Sequence, residues 1–294
     1  MEQAAAHGRT DVDQSATLYV VATPIGNLAD ITLRALEVLK SVAVVAAEDT
    51  RTTGRLLGHY GIEKPLLAVH EHNEKRVAKQ VLALLSGGKS LALVSDAGTP
   101  AISDPGALLI AAVREAGYPV RPVPGPNAAV AALSVAGSVA PHFLFYGFLP
   151  ERPAARRKAL AGIAQLRYTL VFHEAPHRVA EAVADLRLVL GGGRRLLIAR
   201  ELTKLFETLH ACTLAEAETW LAADANRRKG EFVLVVEGAQ AAAEPDSGVA
   251  QRALAILLEA LPLRQAVGLA AKIGGGGRNE LYRTALAMRK KGDS

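Results

Sequence analysis

The sequence predicts an α/β protein made of two α/β domains and a small all-α module at the C-terminal end. Half of the 294 residues are hydrophobic and 21% are charged, a composition that can bury a large core and excludes a disordered or fibrous chain. Short apolar runs alternate with stretches of helical spacing over most of the chain, as in layered α/β folds. Residues 249–294 instead carry only helical patterns and a local excess of basic residues.

The first half of the chain carries the pattern of an open parallel sheet. Five apolar runs are expected to form buried strands: Leu18–Ala22, Val42–Ala47, Leu66–His70, Leu91–Ser95 and Val120–Val123. Four stretches between them have helical spacing: Ile31–Ser41, Thr50–Tyr60, Lys75–Ser86 and Ala107–Ala116. Ligands of such sheets bind outside the carboxyl ends of the strands, so the loops that follow the strands are the first place to look for a site.

A second alternating block follows the aromatic-rich segment Phe143–Pro150, which we expect to close the first half. Helices are predicted near Pro153–Gln165, Pro176–Leu190 and Leu214–Asp224. Strands are predicted at Thr169–Phe172, Leu196–Ala199 and Phe232–Glu237, with a polar strand near Thr203–His210. Three further helices are predicted at Val249–Ala260, Leu263–Ile273 and Arg278–Arg289, and the last two resemble a helix-turn-helix around a glycine run.

These patterns divide the chain into five parts. We expect a disordered tail over residues 1–16, an N-terminal α/β domain over 17–137, a second α/β domain over 138–238, a linker over 239–248 and a basic helical module over 249–294.

The net charge of +5 is concentrated in the last part of the chain. Residues 251–294 hold eight basic side chains and three acidic ones, and the rest of the chain is balanced. Such a module is typical of a nucleic-acid contact, although a solvated helix surface would have the same charge. In the last helix Arg278 and Arg289 share a face and Arg283 points elsewhere, which favours contacts with backbone phosphates over the reading of one base.

Several classes of protein are not expected. With Cys212 as the single cysteine, the chain can form neither an internal disulfide nor an all-cysteine metal site. The first sixteen residues lack the apolar region of a secretion signal. The uncharged stretch from Pro122 to Pro150 contains five prolines, which argue against a membrane-spanning helix. We therefore expect a cytoplasmic protein without a membrane partner.

Three loops that follow predicted strands have the composition of a binding site. They are Thr23–Leu28, Ser95–Gly106 and Pro122–Ala129, rich in glycine, proline and small polar residues. They match neither the dinucleotide fingerprint nor the P-loop. Each could be a plain turn, but three at one sheet edge offer backbone groups and carboxylates suited to a cofactor that carries a ribose or an amino acid.

Charged residues follow the second and third predicted strands. Glu48, Asp49 and Arg51 come after the second strand, and the cluster HEHNE spans residues 70–74 after the third. Histidine and carboxylate suit zinc, but no HExxH spacing or cysteine partner supports a metal site. Hydrogen bonding and proton handling at a cleft are the expected roles.

At this point the motifs resemble those of a known family. In order along the chain they are TPIGNL, AEDTR, HEHNE, VSDAGTPAISDPG, PVPGPNAA, FYGFLP, EAPHR, ARELTK, FET and RRKGEFVLVVEG. Over residues 17–290 the chain is similar to the ribosomal RNA small subunit methyltransferase I family, which has the tetrapyrrole methylase fold.

The resemblance implies a cofactor cleft between two α/β domains and S-adenosylmethionine as methyl donor, without a metal. The implied acceptor is the ribose 2′-hydroxyl of a cytidine in the decoding region of 16S (small-subunit) rRNA, free or in the assembled small subunit, and the implied assembly is a homodimer. The residues that would bind the cofactor are Thr23, Pro24, Gly26, Ser95, Asp96, Thr99, Asn127, Ala128, His173 and Ala199.

A ribose hydroxyl is a weak nucleophile, so a positioned base should accelerate its methylation. The candidate bases are the carboxylates Glu48, Asp49, Glu71, Glu74 and Glu174, and the sequence does not choose among them. The candidate phosphate contacts are Arg51, Arg178, Arg200 and Lys204, which could equally form ion pairs with neighbouring carboxylates.

Two other functions remain open on the residues alone. One is a methyltransferase of the same fold that acts on a small tetrapyrrole, for which the basic helices would serve no purpose. The other is a nucleic-acid-binding module whose α/β body senses a nucleotide, for which the polar loops are more than is needed.

Overall fold

The structure is a computed structural model that describes residues 16–70, 72–137, 140–240, 247–274 and 277–292, with side chains omitted at 247–248 and 289–292. The chain divides into two compact units, Met1–Glu237 and Gly238–Ser294. Both sheets of the molecule belong to the first unit. The predicted tail lies outside the described residues except for its last residue, as do residues 241–246 of the predicted linker.

The first sheet consists of five parallel strands: β1 (Leu18–Val21), β2 (Val44–Ala47), β3 (Leu66–Ala68), β4 (Leu91–Val94) and β5 (Val120–Val123). Their order across the sheet is β3-β2-β4-β1-β5. All five strand predictions are confirmed, with ends that differ by at most two residues. β4 is buried along its whole length, as an uninterrupted apolar run in a central strand should be.

Helices cover both faces of this sheet and form its two cores. The helices are α1 (Leu33–Ser41), α2 (Thr50–His59), α3 (Glu74–Ser86) and α4 (Ala107–Glu115), while α5 (Ala128–Val135) packs instead against the second sheet. α1 and α2 pack on one face and α3 and α4 on the other. Thr32, Asp49 and Asn127 cap α1, α2 and α5 by accepting hydrogen bonds from backbone N–H groups of the first turn.

The second sheet is mixed and has the order β6-β7-β10-β8-β9. Its strands are β6 (Phe143–Phe148), β7 (Thr169–Glu174), β8 (Arg195–Arg200), β9 (Thr208–Thr213) and β10 (Phe232–Val236). Only β6 and β7 are parallel; the other three pairs of neighbours are antiparallel. Its helices are α6 (Pro153–Ile163), α7 (Val179–Leu190) and α8 (Leu214–Ala223).

Two sequence predictions for this region are wrong. The segment Phe143–Pro150 does not close the first half, because it forms the edge strand β6 of the second sheet. The predicted polar strand near Thr203–His210 begins only at Thr208, because Glu201 and Thr203 adopt positive φ angles of 52° and 64° and turn the chain before the strand.

The helix pair α6–α7 encloses a buried ion pair. The Arg156 Nε atom lies 2.6 Å from Asp185 Oδ2, and their side chains are only 2% and 5% exposed. Arg157 contacts the other oxygen of the same carboxylate at 2.6 Å. Asp185 of α7 therefore pairs with two arginines of α6.

The second unit is a three-helix structure with a small core of its own. α9 (Ser247–Ala260), α10 (Leu263–Gly274) and α11 (Arg278–Gly292) confirm the three predicted helices. Leu254, Val267 and Leu281, one from each helix, are buried together. In the described part of the chain, no helix is long and apolar enough to cross a membrane.

Candidate active site

The strand order of the first sheet brings three predicted loops together. β4, β1 and β5 are neighbours, so the loops at their carboxyl ends share one edge. The backbones of Thr23 and Gly98 exchange two hydrogen bonds of 2.8 and 3.0 Å. The Thr99 hydroxyl donates to the Pro126 carbonyl at 3.2 Å, which joins the second loop to the third. The prediction that these loops converge is confirmed.

A cavity of about 370 Å³ lies between this edge and the second sheet. Its walls are mostly apolar, with a few polar groups, as is usual for small-molecule sites of this size. The predicted cofactor residues that line it are Thr99, Asn127, Ala128, His173 and Ala199.

The other predicted cofactor residues lie elsewhere at the same edge. Thr23, Pro24, Ser95 and Asp96 line a smaller cavity of about 200 Å³, together with residues of α2 such as Arg55. Gly26 lines neither of these two cavities. Of the ten predicted cofactor residues, five therefore line the cavity of about 370 Å³, four line the smaller cavity, and Gly26 lies in a loop outside both.

Backbone strain is concentrated in the two loops that meet across the large cavity. Among the described residues, positive φ at a non-glycine residue occurs only at Ala101, Ser103, Glu201 and Thr203. Ser103 lines the cavity, and so does Leu202, which lies between Glu201 and Thr203. Strained backbone of this kind persists where the surrounding structure enforces it, and it clusters at functional sites.

Gly26 allows the loop after β1 to approach the strained loop after β8. A Cβ atom at this position would lie 2.5 Å from Lys204 Cγ and 2.9 Å from the Leu202 carbonyl oxygen. The adjacent Asn27 N–H donates to the Thr203 hydroxyl at 3.1 Å. Only a glycine permits this contact without a shift of the backbone.

We expect Gly26→Ala to separate these loops and to lower the free energy of unfolding by about 1–3 kcal/mol, because the added methyl group meets backbone. Gly58→Ala is the matched control: a Cβ there meets nothing within 4 Å, and alanine favours the helix by about 0.5–1 kcal/mol. Urea unfolding of both variants measures the difference. Equal stability of the two variants would contradict the close approach.

Hydrogen bonds between acidic residues tie the ends of β2 and β4 together. The Asp96 N–H donates to Glu48 Oε2 at 3.2 Å, and the Asp49 N–H donates to Asp96 Oδ1 at 3.0 Å. Arg51 binds Asp49, and its side-chain and backbone hydrogen bonds lower the pKa of Asp49 to about 2. A carboxylate of such low basicity is a poor proton acceptor, which argues against Asp49 as the base.

His173 presents an unsatisfied polar atom within the cavity wall. Its ring packs edge-on against Phe145 and Phe148, with centroids 5.0 and 5.5 Å apart. Burial lowers the pKa of His173, so the imidazole is neutral near pH 7. Its Nε2 atom is buried and has no partner among the described residues, which leaves it available to a bound ligand.

Glu174, a residue of the cavity wall, forms an ion pair with Arg178. Glu174 Oε1 lies 3.2 Å from Arg178 Nε and accepts a hydrogen bond from the Ala175 N–H. Burial raises the pKa of Glu174. Arg178 is largely buried and donates to the Leu149 carbonyl, so it is not the exposed phosphate contact that the sequence suggested.

The remaining predicted phosphate contacts also have partners within the protein. Lys204 Nζ lies 2.9 Å from Glu201 and 2.7 Å from Glu231. Arg200 donates to two backbone carbonyl groups of its own unit. Arg51 is exposed but paired with Asp49. In the structure these side chains bind groups of the protein itself, which is the alternative to phosphate contacts that the sequence left open.

Glu74 of the HEHNE cluster has a structural role at the start of α4. Glu74 is buried, and its Oε2 accepts hydrogen bonds from the N–H groups of Leu108 and Leu109 at the start of α4. This capping role argues against Glu74 as the base. Glu71 lies outside the described residues. No group of metal-ligating side chains was found in the part of the chain that the structure describes.

Asp104 is a residue of the cavity wall that the sequence reasoning missed. Burial, with a smaller contribution from the nearby carboxylates of Glu48 and Asp96, raises its pKa to about 6, although a hydrogen bond with Ser95 opposes the rise. The sequence did contain a signal for this residue: Asp104, like Asp96, is an aspartate of the loop SDAGTPAISDPG with a glycine two positions later.

The fold and the cavity together define a protein of the tetrapyrrole methylase class. Cobalt precorrin-4 methyltransferase aligns with 78% of this chain and 98% of its own length, at a TM-score of 0.56 and 15% identity. Uroporphyrin-III-C-methyltransferase from Thermus thermophilus aligns with 75% of this chain and 94% of its own, at a TM-score of 0.54 and 23% identity. The family Tetrapyrrole (Corrin/Porphyrin) Methylases matches residues 17–218, and the RsmI C-terminal HTH domain matches residues 241–289.

Curated relatives identify the family more closely. The proteins named ribosomal RNA small subunit methyltransferase I from Xylella fastidiosa (strain Temecula1) and Escherichia coli O157:H7 are 53% and 52% identical to this chain. The alignments cover 90% and 92% of this chain and 97% and 94% of the relatives. The protein of the same name from Pseudomonas aeruginosa is 51% identical over 94% of this chain and 98% of its own length. The chain belongs to the ribosomal RNA small subunit methyltransferase I family.

Proposed function

We propose that this protein transfers a methyl group from S-adenosylmethionine to the ribose 2′-hydroxyl of a cytidine in the decoding region of 16S rRNA. The proposal rests on the 53% and 52% sequence identity to relatives named for small-subunit rRNA methylation. These alignments extend across both units of the chain. A small tetrapyrrole acceptor is not favoured, because the structures with such names share only 15–23% identity and support the fold alone.

The residues of the large cavity fit S-adenosylmethionine. The volume of about 370 Å³ and the apolar walls suit an adenosine and a methionine chain. Ala128 begins α5 at the cavity wall, and the unpaired N–H groups of a helix N-terminus favour a carboxylate. The neutral His173 Nε2 can take part in one further hydrogen bond. When bound, S-adenosylmethionine supplies a methyl group already activated by its sulfonium, so no metal is needed.

The direct test is analysis of the RNA product. We expect the purified enzyme to label small-subunit rRNA with tritiated methyl groups, and nucleoside digestion to yield 2′-O-methylcytidine. Naked rRNA and assembled small subunits should be compared as substrates. Label that appears only on a base, or only on a tetrapyrrole acceptor, would contradict the proposal.

The C-terminal unit supplies the surface on which we propose that RNA docks. Arg264 and Arg278 are exposed on α10 and α11 and line an open cavity of about 370 Å³ with Asn279 and Tyr282. Guanidinium groups bind phosphate and an exposed tyrosine ring can stack on a base, which suits single-stranded RNA. Arg283 is exposed on the same helix, and the side chain of Arg289 lies outside the described residues.

We expect the double variant Arg264→Glu, Arg278→Glu to raise the KM for RNA by at least about tenfold and to flatten its salt dependence, because two phosphate contacts become repulsive. The Kd for S-adenosylmethionine should not change, since that cavity belongs to the other unit. The matched control, Arg114→Glu with Lys158→Glu, makes the same charge change on exposed helices of the first unit. Equal KM values for the two double variants would place RNA docking elsewhere.

We also propose a homodimer located in the cytoplasm. Leu205 and Phe206 are exposed in the loop before β9, and Leu209 is exposed on β9, the edge strand of the second sheet; exposed apolar side chains of this kind could be covered by a second copy.

A further inference from the structure

Three carboxylates line the large cavity, and two of them are committed to neighbouring cations. Glu174 Oε1 lies 3.2 Å from Arg178 Nε and accepts a hydrogen bond from the Ala175 N–H, while Glu174 Oε2 is buried without a hydrogen-bond partner among the described residues. Glu231 lies 2.7 Å from Lys204 Nζ and is 75% exposed. Asp104 is the third, and no cation is among the groups that act on its carboxyl in the described structure. It is therefore the cavity carboxylate whose proton affinity is not lowered by an ion pair.

The backbone of its loop fixes Asp104 at the cavity wall. Ala101 and Ser103 precede it at φ angles of 64° and 68°. Gly106 follows at a φ of 124°, where a Cβ atom would lie 2.8 Å from Leu93 Cδ2. A loop in such a conformation is held by its surroundings, and Asp104 sits between the strained Ser103 and a position that only glycine can occupy.

The charges around Asp104 favour proton acceptance. The Ser95 hydroxyl and the carboxylates of Glu48 and Asp96 face it from the ends of β4 and β2. Across the cavity the titratable groups are His173, Glu174 and Glu231. Burial, followed by the repulsion from Glu48 and Asp96, raises the pKa of Asp104 to about 6. The carboxylate is then ionised at pH 7.5, yet more basic than an ordinary aspartate, as an efficient base should be.

We propose that the Asp104 carboxylate is the catalytic base that accepts the proton of the ribose 2′-hydroxyl. This inference rests on the proposed function. The 2′-oxygen forms a bond to the methyl carbon of a sulfonium donor as the carbon–sulfur bond breaks, and the electron pair of that bond stays on sulfur. The 2′-hydroxyl proton passes to an Asp104 oxygen and from there to solvent.

The first test is Asp104→Asn, which keeps the size of the side chain and removes its basicity. We expect kcat for methylation of small-subunit rRNA to fall by about 10²–10⁴-fold. The Kd for S-adenosylmethionine, measured by calorimetry, should stay within about twofold. Asp30→Asn, the same chemical change at an exposed residue outside the cavity, is the control.

The second test is the pH profile of the wild-type enzyme, which can be measured even if substitutions at position 104 disturb the fold. A base must be deprotonated, so wild-type kcat/KM should fall as pH drops below about 6. Glu48→Gln removes a like charge and can still accept the hydrogen bond from the Asp96 N–H, so it should move this acid limb to lower pH. Carboxyl titration by ¹³C NMR should show a group near pH 6 in the wild type that is missing in Asp104→Asn.

Three results would overturn the assignment. The first is a kcat for Asp104→Asn above about a tenth of the wild-type value. The second is loss of S-adenosylmethionine affinity at preserved kcat, which would make Asp104 a cofactor-binding residue. The third is an unmoved acid limb in Glu48→Gln. Absence of 2′-O-methylcytidine with the wild-type enzyme would instead overturn the proposed function, and the base assignment with it.

Discussion

Replacement of Ala128 by phenylalanine should weaken S-adenosylmethionine binding by at least ~100-fold, or about 2.7 kcal/mol. Ala128 lines the large cavity at the first residue of α5, and a phenyl ring there occupies space that the cofactor would need. Because the cavity has room for the ring, the variant should remain folded. Isothermal calorimetry measures the affinity, and circular dichroism the fold.

Val130→Phe is the matched control for this experiment. Val130 lies on the same helix, is 55% exposed and is not part of the cavity lining. The same ring placed there should leave the Kd unchanged. Similar affinities of Ala128→Phe and Val130→Phe would show that the cofactor binds somewhere other than this cavity.

Replacement of Asp185 by alanine should destabilise the first unit by about 3–5 kcal/mol, because it leaves the buried guanidinium of Arg156 without its main counter-ion. The remaining contacts of Arg156 are the Glu151 carbonyl at 3.1 Å and the exposed Glu181 carboxylate at 3.4 Å, which compensate only in part. Scanning calorimetry should show a Tm lower by roughly 6–20 °C.

Glu218→Gln provides the comparison for a half-exposed ion pair. Arg187 Nε lies 2.8 Å from Glu218 Oε1, but the arginine side chain is half exposed to water. Disruption of such a pair should cost no more than about 1 kcal/mol. If Asp185→Ala proved no more damaging than Glu218→Gln, burial would not be the source of the stability of the Arg156 pair.

The sequence predicted the helices and strands that are determined by residues close together in the chain. β4 is an uninterrupted apolar run, so it could be identified as a strand from residue type alone. α5 is not among the predicted helices, although Asn127, a residue type that favours the capping position, precedes it. The convergence of three loops also followed from the pattern, since the carboxyl ends of parallel strands share one edge.

The remaining features depend on contacts between distant residues. The turn before β9 requires positive φ at Glu201 and Thr203, residue types that do not predict it. The pairing of Lys204 with Glu231 joins residues 27 positions apart, and no charge pattern chooses that partner over RNA. Asp104 and Asp96 look alike in the sequence, but only the fold gives Asp96 a hydrogen bond from the Asp49 N–H and a nearby Arg51, and buries Asp104 among carboxylates.

The order of strands in the first sheet has a consequence for the nascent chain. Leu18 of β1 pairs with Leu91 of β4 and with Val120 of β5, so β1 cannot enter its sheet until β4 has been made and cannot complete its pairing until β5 has been made as well. At ribosomal elongation rates of about 5–20 residues per second, the 73 residues from Leu18 to Leu91 take roughly 4–15 s. β8 and β9, in contrast, meet at Arg200 and Thr208, a short loop that closes rapidly. The part of the protein that is synthesised first is thus expected to complete its hydrogen bonding late, with β1 exposed to wrong partners in the meantime.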